Sequence, residues 1–121
     1  MADRELSLDA LAASLRVLAD PNRLRIIDAL LDGERCNCEL GGSLGLPANL
    51  VSHHLRSLEQ AGLVLARRDP DDARWIHYRV VAPQLDALLS AVGRRLKVRP
   101  AQPRRTRTRA CSAAPVTIRS T

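Results

Sequence analysis

ELGGSLGLPANLVSHHLRSLEQAG, residues Glu39 to Gly62, is the stretch whose reading decides the fold. Gly45-Leu46-Pro47 is a tight turn between two short helical patterns. The pattern before it runs from about Cys38 to Leu44 and is weakened by Gly41 and Gly42, each by ~1 kcal/mol relative to Ala. The pattern after it covers about residues 48–61, turns Val51, Leu55 and Leu58 inward, and ends at Gly62. Two short helices joined by a Gly-containing turn make a helix-turn-helix.

Upstream, Leu8, Leu11, Leu15 and Leu18 recur at helical spacing and predict an amphipathic helix over about residues 5–18. Asp20-Pro21 reads as an N-cap followed by proline at the first helical position. Leu24, Ile27 and Leu31 give that second helix its apolar stripe, and Gly33 ends it. Downstream, the period changes. Leu63 to Arg68 is a strand, Asp69-Pro70-Asp71-Asp72 is turn chemistry, and Arg74 to Val80 alternates. Ile76, Tyr78 and Val80 share one face of that second strand, and Trp75, His77 and Arg79 the other. Pro83 opens a last helix with Leu85, Leu88, Leu89, Val92 and Leu96 as its stripe. The expected fold is mainly α (α+β), a winged helix-turn-helix of five helices with a two-stranded β-hairpin wing. Residues 1–98 form this domain, and residues 99–121 form a basic, flexible tail that carries Cys111.

The 121 residues suit one domain, and dimerisation would help so small a core. With no Phe, one Trp and one Tyr, the core must be Leu, Val, Ile and Ala. No run of ~18 apolar residues occurs, so no membrane span is expected. The charged N-terminus does not read as a signal peptide, which predicts a cytoplasmic protein with reduced thiols. The net charge of +6 divides unevenly. Residues 1–94 hold 11 Lys/Arg and 13 Asp/Glu, whereas residues 95–121 hold eight Lys/Arg and no acid. A polycationic tail of this kind often touches nucleic acid.

In a helix-turn-helix the second helix enters the major groove. Here Asn49, Ser52 and His53 are left facing outward at its start, where they can hydrogen-bond to base edges, and Arg56 follows one turn later. Asn49 could instead cap the helix. His54, beside Leu55, is either a structural histidine or a phosphate contact. Arg68 and Arg74 flank the hairpin tip and suit phosphates or the minor groove, although Asp69, Asp71 and Asp72 would oppose a phosphate backbone. Winged domains mostly bind double-stranded DNA, and some bind proteins instead.

Cys36 and Cys38 straddle the start of the third helix. Thiols at i and i+2 do not share a helix face, so they converge only where the chain is extended or irregular. A helix N-terminus and Arg35 favour thiolate there, while Glu34 and Glu39 oppose it. Thiolates select soft ions, and a third would make the site tight. The remaining cysteine, Cys111, lies about 12 residues beyond Arg99, a reach of ~40 Å if extended. The plainer alternatives are that Cys36 and Cys38 are small buried hydrophobes and that Cys111 is incidental.

These pieces together resemble the ArsR/SmtB family of metal-responsive repressors, and its arsenic-sensing branch in particular. The resemblance is carried by Leu18-Ala19-Asp20-Pro21-Asn22-Arg23-Leu24-Arg25-Ile26, by Glu34-Arg35-Cys36-Asn37-Cys38-Glu39-Leu40, by Val51-Ser52-His53-His54-Leu55 with Leu58, and by Arg74-Trp75-Ile76-His77-Tyr78-Arg79. It covers about residues 8–97. It implies a homodimer joined through the first and last helices, which binds operator DNA and is released when As(III) meets the Cys36/Cys38 box. In that branch a third cysteine stands where this chain has Gly41. Inorganic arsenite would then need Cys111 or an outside thiol, whereas a methylated trivalent arsenical needs only two sulfurs. The His and acidic ligands of the zinc-sensing branch are not matched on the last helix, which offers Asp86 and no His. Cd(II), Pb(II) or thiol oxidation are alternative signals for the same fold. An enzyme such as an arsenate reductase is disfavoured, because there is no Cys-X-X-Cys, phosphate-binding Gly loop or parallel βαβ pattern. A protein-binding winged module whose tail alone grips nucleic acid is the third class considered.

Overall fold

The computed structural model describes residues 6–101. Eight elements follow one another: α1 (Leu8–Leu18), α2 (Pro21–Leu31), β1 (Arg35–Cys36), α3 (Asn37–Leu44), α4 (Ala48–Gln60), β2 (Val64–Arg68), β3 (Ile76–Val80) and α5 (Ala82–Arg95). Local chemistry fixes most boundaries. Ser7 accepts the Ala10 N–H at 3.1 Å, so α1 starts after it rather than at residue 5. Asp20 caps α2 by accepting the Asn22 and Arg23 N–H groups at 2.8 and 3.1 Å, with Pro21 opening the helix as expected. At the turn after α3, Gly45 takes φ 65°, a left-handed conformation that favours glycine.

The sheet has three antiparallel strands in the order β1-β3-β2, not two. β2 and β3 form the expected hairpin, with Val64 opposite Val80 and Arg68 opposite Ile76. The added strand is the two-residue β1, in which Arg35 pairs with Tyr78 and Cys36 with His77. A strand this short has no alternation to read, which is why periodicity missed it.

Leu40, Leu55, Leu58, Val51, Val64 and Ile26 are the most deeply buried side chains, so the helix-turn-helix is the centre of the core. Tyr78 points inward from β3, with Ile76 and Val80 packed against the same cluster. The α2 stripe differs from expectation. Ile26, Ile27 and Leu30 are buried, and Leu24 and Leu31 are exposed. Both sets recur at three- and four-residue spacing, so only the packing of neighbouring helices chooses between them. On α5, Leu85, Leu88 and Ala91 are buried, while Leu89 and Leu96 face outward. Among the described residues, no helix is long and apolar enough to cross a membrane.

Candidate nucleic-acid interface and thiol site

α4 begins at Ala48 after Pro47, and no side chain caps it, so the capping alternative for Asn49 falls. Asn49, Ser52, His53 and Arg56 are all exposed on this helix, as a face for a ligand requires. His54 is not. It is 5% exposed, and its Nδ1 accepts a hydrogen bond from Arg23 Nε at 3.2 Å. With Nδ1 accepting, the neutral ring carries its proton on Nε2, which lies 4.0 Å from Asp20 Oδ1. Arg23 also donates to the Val17 carbonyl at 3.2 Å. His54 thus ties α4 to the junction of α1 and α2. The expectation that it contacts phosphate is corrected, because its ring is enclosed and already partnered.

The wing is organised by its acids. Asp69 Oδ1 accepts the N–H groups of Asp71 and Asp72 at 2.8 and 3.2 Å, which closes the turn. Asp69 Oδ2 accepts His77 Nε2–H at 2.9 Å. Asp72 holds Arg74 through Nη2 at 2.8 Å and Nε at 3.1 Å. That guanidinium keeps the Asp72 carboxyl below its usual range. Asp69 is lowered too, first by the His77 hydrogen bond and then by the Asp71 N–H. Arg68 is exposed and bonded only weakly, through Nη1 to the Ala73 carbonyl at 3.4 Å. Arg67 is paired with Glu34, which holds the Glu34 carboxyl low and the guanidinium high.

Cys36 and Cys38 stand on either side of the point where β1 passes into α3. They are unlike one another: Cys36 is buried and Cys38 exposed. Cys36 is the N-cap of α3. Its sulfur accepts the Glu39 N–H at 3.4 Å, and Glu39 Oε1 accepts the Cys36 N–H at 3.2 Å, a reciprocal capping box. The helix terminus does not make Cys36 acidic. Burial, and then the neighbouring Cys38 thiol, push it up to about 11, against the opposing pull of the Glu39 N–H. Arg35 gives it little help, since its Nε donates to the Ala29 carbonyl at 3.0 Å. Thiolate stabilisation at this position is therefore corrected for Cys36.

Two thiols make a soft, two-donor set, compatible with a ligand that forms two bonds to sulfur. Among the described residues, no group of three or more His, Cys, Asp and Glu side chains could hold a metal ion. Cys111 lies outside the described residues. Sequence reasoning missed His77 as the cross-strand partner of Cys36. Only the outward placement of His77 was readable; its pairing with Cys36 depends on β1.

A family profile described as a bacterial regulatory protein of the arsR family matches residues 20–65, from the cap of α2 through α4 into β2. A crystal structure of a possible transcriptional regulator for arsenical resistance is 33% identical, with a TM-score of 0.58, covering 64% of this chain and 78% of that one. The chain belongs to the arsR family. The HTH-type transcriptional regulator CmtR of Mycobacterium tuberculosis is 44% identical over 71 residues, covering 59% of this chain and 60% of CmtR. This arsR-family chain therefore spans about three fifths of that relative's length. A solution structure of a homodimeric winged helix-turn-helix DNA-binding domain from Mycobacterium bovis is 29% identical, with a TM-score of 0.59, covering 79% of this chain and 85% of that one.

Proposed function

We propose that this arsR-family protein is a metalloid-responsive transcriptional repressor. It binds double-stranded operator DNA as a homodimer and is released when trivalent arsenic binds Cys36 and Cys38. The observation that carries the reading is the capping box: the thiol of Cys36 is part of the helix-turn-helix it would regulate.

Asn49, Ser52, His53 and Arg56 form the exposed edge of α4 that enters the major groove, while Arg68 and Arg74 hold the backbone from the wing. The dimer seam runs along α1 and α5, where Leu8, Leu89 and Leu96 are left exposed. Family likeness to a homodimeric DNA-binding domain supports both statements.

At the thiol site, Cys36 and Cys38 supply two sulfurs, and Cys111 supplies a third when the inducer is inorganic arsenite. A methylated trivalent arsenical needs only the first two. The bound group contributes strong bonds to sulfur in place of the two S–H protons. A bond from the Cys36 sulfur to a ligand shared with Cys38 repositions that sulfur, which competes with the place it holds on the Glu39 N–H. A lost N-cap costs typically ~1 kcal/mol, comparable with allosteric couplings of about 1–3 kcal/mol. Weakening the start of α3 changes the platform on which α4 is presented.

Fluorescence anisotropy on DNA from the protein's own promoter, titrated with arsenite, tests this in the wild type and in Cys111→Ser. Release of the wild type alone means a three-thiol site. Equal release means Cys36 and Cys38 suffice. No release of either from confirmed complexes rejects arsenite as the signal, and Cd(II), Pb(II), methylarsenite and oxidant follow.

A further inference from the structure

The thiol box is joined to the wing as well as to α3. Cys36 is the last residue of β1, and its rung partner on β3 is His77. The side-chain carboxylate of Glu34, two residues upstream, is paired with Arg67 on β2 and lies 3.9 Å from His77 Nδ1. On its far side His77 donates to Asp69 at 2.9 Å. Asp69 in turn accepts the N–H groups of Asp71 and Asp72, and Asp72 clamps Arg74. A continuous set of hydrogen bonds and ion pairs therefore runs from the rung beside the thiol to the arginine at the wing tip.

From this path we infer that the wing is an output of the thiol site, and that His77 is the positioning residue that transmits it. The inference rests on the proposed thiol-ligand reading and adds to it. Drawing Cys36 toward Cys38 displaces the β1 rung against β3. His77 is held between Glu34 and Asp69, so its shift is passed to the turn that Asp69 closes. Arg68 and Arg74 then leave the geometry that suits the DNA backbone. The α3 cap and this path are separable: one presents α4, the other aims the wing.

The molecule carries its own reporter. Trp75 is the only tryptophan in the chain. It lies in the wing itself, its backbone N–H donating to the Asp72 carbonyl at 3.0 Å and its backbone carbonyl accepting the Asp69 N–H at 2.9 Å. The probe is phenylarsine oxide, a trivalent organoarsenical. Two S–H bonds are replaced by two As–S bonds, and the oxygen leaves as water with both protons, with no change in oxidation state. Native mass spectrometry of the full-length protein, without DNA, counts the adduct. Trp75 emission and its quenching by acrylamide read the wing in the same samples.

The expected result is an adduct accompanied by a changed Trp75 signal. In His77→Phe the adduct still forms, the Trp75 response is lost, and release from operator DNA falls below the ~5–150-fold of the wild type to the part carried by the α3 cap alone. Asp69→Asn leaves one acceptor oxygen where Asp69 uses two, one on the Asp71 and Asp72 N–H groups and one on His77, so the adduct still forms while the Trp75 response weakens. An adduct with no Trp75 change in the wild type overturns the inference while leaving the thiol reading intact. Absence of any adduct rejects the thiol reading, and this inference with it. If His77→Phe does not fold, the wild-type measurement alone decides.

Discussion

Cys36 and Glu39 cap the first turn of α3 reciprocally, sulfur to N–H at 3.4 Å and carboxylate to N–H at 3.2 Å. Serine is a better cap than cysteine but has no thiol. Cys36→Ser is therefore expected to keep the cap and lose the soft-ligand site. Cys36→Ala loses both and costs typically ~1 kcal/mol of stability. Urea unfolding and arsenic binding, measured on both variants, check this. A Cys36→Ser protein that still binds arsenic as tightly as the wild type would remove Cys36 from the site.

The two thiols should differ in chemistry. Cys38 is exposed, whereas Cys36 is buried with its pKa raised to about 11. Thiolate is the reacting species, so iodoacetamide near neutral pH is expected to label Cys38 well before Cys36. Peptide mapping of partly alkylated protein reads the order directly. The same shift sets a pH dependence. A folded-state pKa above the unfolded value stabilises the fold below the ordinary thiol value of 9.0, and that contribution is lost as pH rises toward about 11. Burial raises Tyr78 in the same direction. Stability is expected to fall across this alkaline window, with a shallower fall in Cys36→Ser.

His54 and the α4 surface residues should separate cleanly. His54→Ala leaves the Arg23 Nε–H without its partner in a part-buried setting, for a cost of about 1–3 kcal/mol. Asn49→Ala, Ser52→Ala and His53→Ala change exposed positions, where effects are usually within ~0.5 kcal/mol. These three are expected to weaken operator binding at near wild-type stability. Urea melts beside anisotropy titrations check it. Strong operator binding by all three would point to the wing or the tail as the main contact.

That contrast shows where sequence reading stops. Asp20-Pro21, Gly45 and the alternation of Ile76, Tyr78 and Val80 are local signals, since each residue type acts on its own backbone or face. The helix-turn-helix and hairpin were legible for that reason. β1, the burial of His54 and the cap made by Cys36 are not local. β1 exists because β3 offers a free edge, and His54 is buried because Arg23, 31 residues away, supplies a donor. Cysteine is also not among the preferred capping residues, so its role at α3 gives no compositional sign. The site was legible as a pair of residues, but their unequal burial and their link to His77 were not.

On the wing, Arg74 is already held by Asp72, while Arg68 has only a weak carbonyl contact. Asp72→Asn removes the clamp that aims Arg74 while freeing its charge, and is therefore expected to lower DNA affinity and steepen its salt dependence. Arg68→Ala should lower affinity and reduce the salt slope by ~1, as for one lost phosphate contact. Titrations at several salt concentrations distinguish the two. An unchanged slope in both variants would place the wing off the DNA.

Gly41 stands where the arsenic-sensing branch carries a third cysteine, and the structure can accept a side chain there. A Cβ at Gly41 would lie 3.4 Å from the Leu46 carbonyl oxygen and 4.0 Å from Val51 Cγ2, both ordinary contacts. Replacing a helical glycine also removes a conformational cost of up to ~1 kcal/mol. Position 41 is one turn beyond Cys38 on the same helix, so a thiol there faces the same side. Gly41→Cys is expected to keep or raise stability and to bind inorganic arsenite more tightly through three thiols within one subunit. The decisive measurement combines Gly41→Cys with Cys111→Ser. If arsenite response lost in Cys111→Ser returns in the double variant, the missing donor of the α3 box is what Cys111 supplies. If Gly41→Cys binds arsenite no better than the wild type, the box does not need a third sulfur, and a two-bond arsenical is the better inducer.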